Sequence, residues 1–215
     1  MKPLLLLAAL YAALMLWRYG RRAAVVVAPG SIRFRSDPAA PPATSLQREA
    51  GEQLEALGFR RLGERSEEGP LGGLGLRTDA WVSGDGRAYA DVFDHAPRAG
   101  GGAWLYFLSP FPDGAVALTA NHARAGRSGR MVEAAGLPGA GPEGAWNVHR
   151  RVVERMEADH GTPSAPADLG AREAAARAWY RAAGGRELRR LFAVHLLNAL
   201  LAALILGGAL HMLLR

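Results

Sequence analysis

The chain has 215 residues, with 26 Lys or Arg against 20 Asp or Glu and a formal net charge of +6. Hydrophobic residues make up 49%, which excludes a disordered polyelectrolyte. The absence of cysteine excludes a disulfide scaffold, a thiolate zinc site and a cysteine nucleophile, and fits either side of a membrane. Setting aside Lys2 and Arg215 leaves 24 basic residues against 20 acidic ones, so the high pI is mostly an effect of basic residues beside two apolar segments.

Those segments, residues 4–17 and 191–214, are apolar almost throughout. The second, at ~1.5 Å per residue, reaches roughly 36 Å and exceeds a hydrocarbon core of ~30 Å. The first is shorter than a usual span and crosses only if Lys2 and Arg18 snorkel outward and the helix runs through Tyr19. A cleaved signal peptide is its rival, but Trp17, Arg18, Tyr19, Gly20, Arg21 and Arg22 stand where small residues would mark cleavage. The expected division is an N-terminal transmembrane helix over 1–19, a linker over 20–43, a domain over 44–167, a juxtamembrane amphipathic helix over 168–190 and a C-terminal transmembrane helix over 191–214.

Arginines crowd the domain side of both segments: Arg18, Arg21, Arg22, Arg33 and Arg35 after the first, Arg172, Arg177, Arg181, Arg186, Arg189 and Arg190 before the second. Basic residues near span ends stay cytoplasmic, so a multi-pass inner-membrane protein with a cytosolic middle domain is predicted. The 25 arginines against one lysine point to a compositional bias that inflates this signal.

Thr44 and Gln47 have capping-box spacing, and Leu46, Ala50, Leu54 and Leu57 recur at helical intervals until Gly58. Residues 74–82 alternate, Asp85-Gly86 supplies a hairpin turn, and 87–94 returns as a second strand. A third strand over 103–109 is apolar on both faces and should lie centrally. Pro110, Pro112, Asp113 and Gly114 turn the chain into a fourth strand over 115–121. Trp146, His149, Val153 and Met156 share one face of a helix over 144–159, and an Ala- and Arg-rich helix over 168–183 ends near Trp179 and Tyr180. The expected fold class is α+β: two transmembrane helices flanking a small domain with a four-stranded antiparallel meander and about three helices.

Leu57-Gly58-Phe59, Ala88-Tyr89-Ala90-Asp91-Val92 after Gly84-Asp85-Gly86, and Phe111-Pro112-Asp113-Gly114 leading to Leu118-Thr119-Ala120-Asn121 resemble a loose family of uncharacterised bacterial membrane-anchored proteins. The resemblance covers roughly residues 44–180. It implies anchorage and carries no activity, cofactor or site residue.

The chemistry-bearing candidates are few. Asp91, Asp94 and His95 form the densest group, with His122 a separate candidate, but Asp91 and His95 would lie roughly 13 Å apart on a strand rising ~3.3 Å per residue, too far to share an ion. Asp94 falls opposite Arg77, which predicts a cross-strand ion pair. No His-x-His or H-E-x-x-H spacing occurs, so no metal and no cofactor are expected. Gly126-Arg127-Ser128-Gly129-Arg130 departs from the G-x-S-x-G elbow, and the Gly-rich stretches open no helix after a strand. Arg124, Arg127 and Arg130 could meet lipid phosphate; without interleaved aromatics, nucleic acid is an unfavoured partner. In the second span His195, Asn198, Ala199 and Ala202 fall within about a 100° arc and predict a helix-packing face, against the first span or a second copy.

The reading that follows is an integral inner-membrane protein whose α+β domain is a binding or assembly module, with the bilayer and a protein partner or homo-oligomer as its contacts. The alternative from another class is a membrane-tethered metal-dependent or acid/base hydrolase using Asp91, Asp94, His95 or His122. A channel or transporter subunit is a third, disfavoured because neither span carries a carboxylate.

Overall fold

A computed structural model describes residues 2–28, 31–72, 75–94, 102–122, 130–181 and 185–214. The elements in chain order are α1 (Lys2–Val27), β1 (Arg33–Asp37), α2 (Ser45–Ala56), β2 (Phe59–Glu68), a 3-10 turn (Pro70–Gly72), β3 (Gly75–Ser83), β4 (Tyr89–Phe93), β5 (Leu105–Pro110), β6 (Val116–Ala120), β7 (Val132–Gly136), α3 (Pro142–His160), α4 (Leu169–Trp179) and α5 (Gly185–Leu214). They form two compact units: Met1–Arg33 with Glu67–Gly75 and Tyr180–Arg215, and Phe34–Ser66 with Leu76–Trp179.

In the first unit α1 and α5 are long and apolar enough to cross a membrane, and they pack against each other. Ala9 and Ala12 on α1 and Ala199, Ala202 and Ala209 on α5 are buried, while Leu197, Leu200 and Leu204 stay exposed. Small side chains let two backbones approach closely, and the leucines are left facing outward.

The second unit is α+β. Its sheet has seven strands in the order β1-β2-β3-β4-β5-β6-β7, which corrects the expected four-stranded antiparallel meander. The four strands read from the alternation are the central β3 to β6. β3–β4, β4–β5 and β5–β6 are antiparallel, whereas β7 joins β6 in parallel and makes the sheet mixed. At the other side, segment 20–43 is not a simple linker. α1 runs on to Val27 and Arg33–Asp37 forms the edge strand β1.

One face of the sheet carries α2 and α3. Phe59, Trp81, Ala90, Val92, Leu105 and Phe107 meet Ala50, Leu54, Ala145 and Trp146 there. The other face carries α4, where Val82, Tyr89, Leu108 and Leu118 meet Ala175 and Trp179. α4, Leu169–Trp179, is thus a packing helix of the domain, where a juxtamembrane amphipathic helix over 168–190 was expected. The sequence accounts for these placements locally. Thr44 and Gln47 form the complete capping box that starts α2, and Gln47 reaches on to the Val92 carbonyl at 3.1 Å, tying the helix to the sheet.

Gly51 sets the approach of α2 to β3, because a Cβ there would stand 2.7 Å from Trp81 Cζ2. Alanine is ordinarily favoured over glycine inside a helix by about 1 kcal/mol. Here Gly51→Ala is expected to destabilise by about 1 to 3 kcal/mol through overpacking. A thermal midpoint of the detergent-solubilised chain that rises on this substitution would show that the helix can retreat.

Candidate functional site

Asp91, at the centre of β4, faces α4 and is fully buried. Arg65 from β2 and Arg172 from α4 converge on it, both also buried. Asp91 Oδ2 accepts from Arg65 Nη2, from Arg172 Nη2 at 2.6 Å and from the Tyr106 hydroxyl at 2.6 Å, while Oδ1 accepts from Arg172 Nε at 3.2 Å. The Tyr106 oxygen in turn accepts from Arg172 Nη2 at 2.9 Å and Arg65 Nη2 at 3.2 Å. The Arg172 guanidinium also lies over the Tyr89 ring, 5.3 Å from its centroid.

Burial pushes the Asp91 carboxyl up, but Arg172, Arg65 and the Tyr106 hydroxyl outweigh it and bring the pKa down to about 2. The carboxylate is ionised, sequestered and saturated with donors. A general acid needs a proton to give, and a general base needs a lone pair within reach of substrate; this group has neither. It holds α4 to the sheet.

Of the other candidates, Asp94 and His122 have partners of their own. Asp94 lies opposite Arg77, as the hairpin register requires, and its N–H donates to the Arg77 carbonyl at 3.2 Å. The Arg77 guanidinium, however, is bidentate on Glu64 of β2, at 2.8 and 2.9 Å, so the predicted Asp94–Arg77 ion pair gives way to a pair across the β2–β3 ladder. Asp94 adds only a smaller electrostatic pull. His122 packs with Trp104 and Phe93, with ring centroids 4.9 and 6.4 Å away. His95, Arg124, Arg127 and Ser128 lie outside the described residues. Among the described residues no three His, Asp or Glu side chains come together as a metal site.

A second buried network surrounds His149 of α3. Its Nε2 is 3.0 Å from Ser109 Oγ and its Nδ1 is 3.1 Å from Thr119 Oγ1. The Ser109 hydroxyl donates to the Arg87 carbonyl at 2.8 Å. Its one proton is therefore committed, so Nε2 carries the imidazole proton and Nδ1 accepts from Thr119. Ser109 is not activated as a nucleophile, because the histidine donates to it instead of accepting from it.

Burial lowers the His149 pKa to about 3. The unfolded chain takes up this proton near pH 6.5 and the folded chain does not, so stability is full above that value and is lost as pH falls below it, down to about pH 3. Between pH 7 and pH 5 the loss is expected to be on the order of 2 kcal/mol. In His149→Gln this part of the pH dependence should vanish. Urea midpoints with an unchanged pH slope in the variant would assign the acid sensitivity elsewhere.

An exposed polar cleft of about 790 Å³ lies between the β7 end of the sheet and the C-terminal half of α3, lined by Asp113, Arg130, Met131, Glu133, Arg155, Met156, Asp159 and His160. His160 Nδ1 contacts Asp113 Oδ2 at 2.7 Å, and Arg155 pairs with Glu133. The His160 ring and the Ala115 N–H hold the Asp113 carboxyl below its ordinary range. Arg130 belongs to this cleft.

In the helical unit His195 and Asn198 are half-buried and Ala199 and Ala202 buried. His195 Nε2 lies 3.5 Å from Arg22 Nη1, and its ring stacks on Tyr19 with centroids 5.7 Å apart.

Arg65, Arg172 and Tyr106 are absent from the sequence-derived candidates. The usable signal was Arg172 itself. It falls on the apolar stripe of α4, in register with buried Leu169 and Ala176, where a guanidinium needs a buried counter-charge. Comparison with protein-family models, curated proteins and solved structures finds no match.

Proposed function

We propose that the chain is an integral inner-membrane protein in which α1 and α5 both span the bilayer and hold the α+β unit in the cytosol as a non-catalytic binding or assembly module. The observation that carries the anchorage is the outward face of the helix pair. Leu4, Leu7, Leu10, Leu14, Leu197, Leu200 and Leu204 are each more than half exposed, a surface suited to hydrocarbon and too large for water. The orientation rests on the arginines that flank both helices on the domain side. The module reading is supported by the commitment of Asp91 and His149 to closed networks and by the α3–β7 cleft, a polar surface open to a protein partner or a second copy.

The chain contains no cysteine, so single cysteines report position cleanly. A cysteine at exposed Glu143 should resist a membrane-impermeant maleimide in spheroplasts and react after lysis. Labelling before lysis would reverse the topology. A photo-crosslinking residue at Arg130, in the cleft, should give a discrete protein adduct in cells that the same residue at exposed Glu52 does not. Equal adduct patterns at the two positions would remove the cleft from the reading.

A further inference from the structure

Arg18, Arg21 and Arg22 project within about a 100° arc of α1, directly after the apolar run that ends at Trp17 and before the apolar residues 23–27 that close the helix. The sequence of α1 holds no acidic residue, and among the described residues no carboxylate pairs with any of the three. Their contacts are of a different kind. Arg22 meets His195 of α5, Arg21 lies over the Trp17 ring at 5.4 Å, and the buried Arg21 Nε has no hydrogen-bond acceptor. Guanidiniums gathered without a counter-ion repel one another, and a planar fork of N–H donors is matched by phosphate oxygens.

From these observations we propose that Arg18, Arg21 and Arg22 of α1, with His195 of α5 at their edge, bind the phosphate of an anionic phospholipid. The proposal rests on the membrane-anchored reading. A lipid suits the site better than free phosphate because the helix below the arginines continues the match. Leu14, Tyr11 and Leu7 descend the same face from Arg18 and are 59%, 66% and 63% exposed, a track for an acyl chain. Trp17 and Tyr19 flank the arginines at the level where aromatic side chains meet headgroups.

The test uses the full chain in phosphatidylcholine vesicles doped with either brominated phosphatidylglycerol or brominated phosphatidylcholine at equal mole fraction. Quenching of Trp17 is taken as the difference from Trp17→Phe. The expected result is a preference for the anionic lipid of about fivefold or more, the increment of one guanidinium at a headgroup. That preference should disappear in Arg18→Gln/Arg22→Gln, persist in Arg22→Lys and be unaffected by Arg60→Gln on the domain. Equal quenching by both lipids in the native chain overturns the site while leaving the anchorage intact. Absence of quenching by either lipid overturns the anchorage and the site together. Retention of the preference in Arg18→Gln/Arg22→Gln places the contact elsewhere and overturns the assignment. Loss of the preference on adding inorganic phosphate, but not sodium chloride of equal ionic strength, makes it a free-phosphate site and overturns the lipid assignment.

Discussion

Asp91→Asn is expected to lower the stability of the full chain by about 3 to 5 kcal/mol, read as a fall in the urea midpoint followed by tryptophan fluorescence in detergent. The substitution is isosteric, so it opens no cavity. What changes is charge: the two buried guanidiniums lose the carboxylate they share and keep between them only neutral acceptors in its place, the asparagine amide oxygen and the Tyr106 hydroxyl. Removing one partner of a buried ion group is costly because the rest stays dehydrated and uncompensated. The same reasoning predicts that Arg65→Met/Asp91→Leu/Arg172→Met, which removes these three charges together, recovers most of the loss. An unchanged midpoint in Asp91→Asn would mean that water reaches the guanidiniums. The native contribution of Asp91 should hold above the unfolded carboxyl pKa near 3.8 and fade as pH drops through about 2. His149 weakens the fold at higher pH than this, so acid should loosen the α3 side of the sheet before the α4 side.

The legible parts of this chain are those whose pattern is local. β3 to β6 alternate or run apolar because each is buried on one or both faces, and Gly84-Asp85-Gly86 sets the β3–β4 register seen in the structure. α2 announces itself through Thr44 and Gln47. The three remaining strands lack such marks. β2 carries Arg60, Arg61, Glu64, Arg65, Glu67 and Glu68, so its inward positions are charged and look like a solvated loop until their partners are known. β1 is short and mostly exposed, and β7 is a half-buried Val-Glu-Ala-Ala-Gly edge with weak strand propensity.

The same distance in sequence hid the Asp91 cluster. Its cations come from 26 and 81 residues away, so Asp91 reads as an available carboxylate beside Asp94 and His95 when only its neighbours are visible. By contrast, the His195, Asn198, Ala199 and Ala202 arc follows from helical geometry within a single turn and a half. No long-range partner needs to be known to place those residues on one face.

Phe107→Ala should cost about 3 to 5 kcal/mol, a large share of what holds a domain of this size together. Phe107 is fully buried on β5, the strand bonded to β4 on one side and β6 on the other. Its Cα partners are Ala90 and Thr119, small neighbours that leave room for one large ring at this level of the sheet. The ring fills that space against Phe59, Trp146 and His149, with centroids 5.5, 5.2 and 5.7 Å away. Truncation would therefore remove the contact through which β2, α3 and β5 meet, and small neighbours cannot collapse into the void. Phe107→Leu keeps most of the volume and should lose less than half as much. The two variants are compared by urea midpoint at pH 7, where His149 is neutral in both states for the most part. Equal losses for alanine and leucine would show that ring contacts rather than filled volume set the cost. A midpoint unmoved by alanine would mean that the centre of the domain lies on another strand.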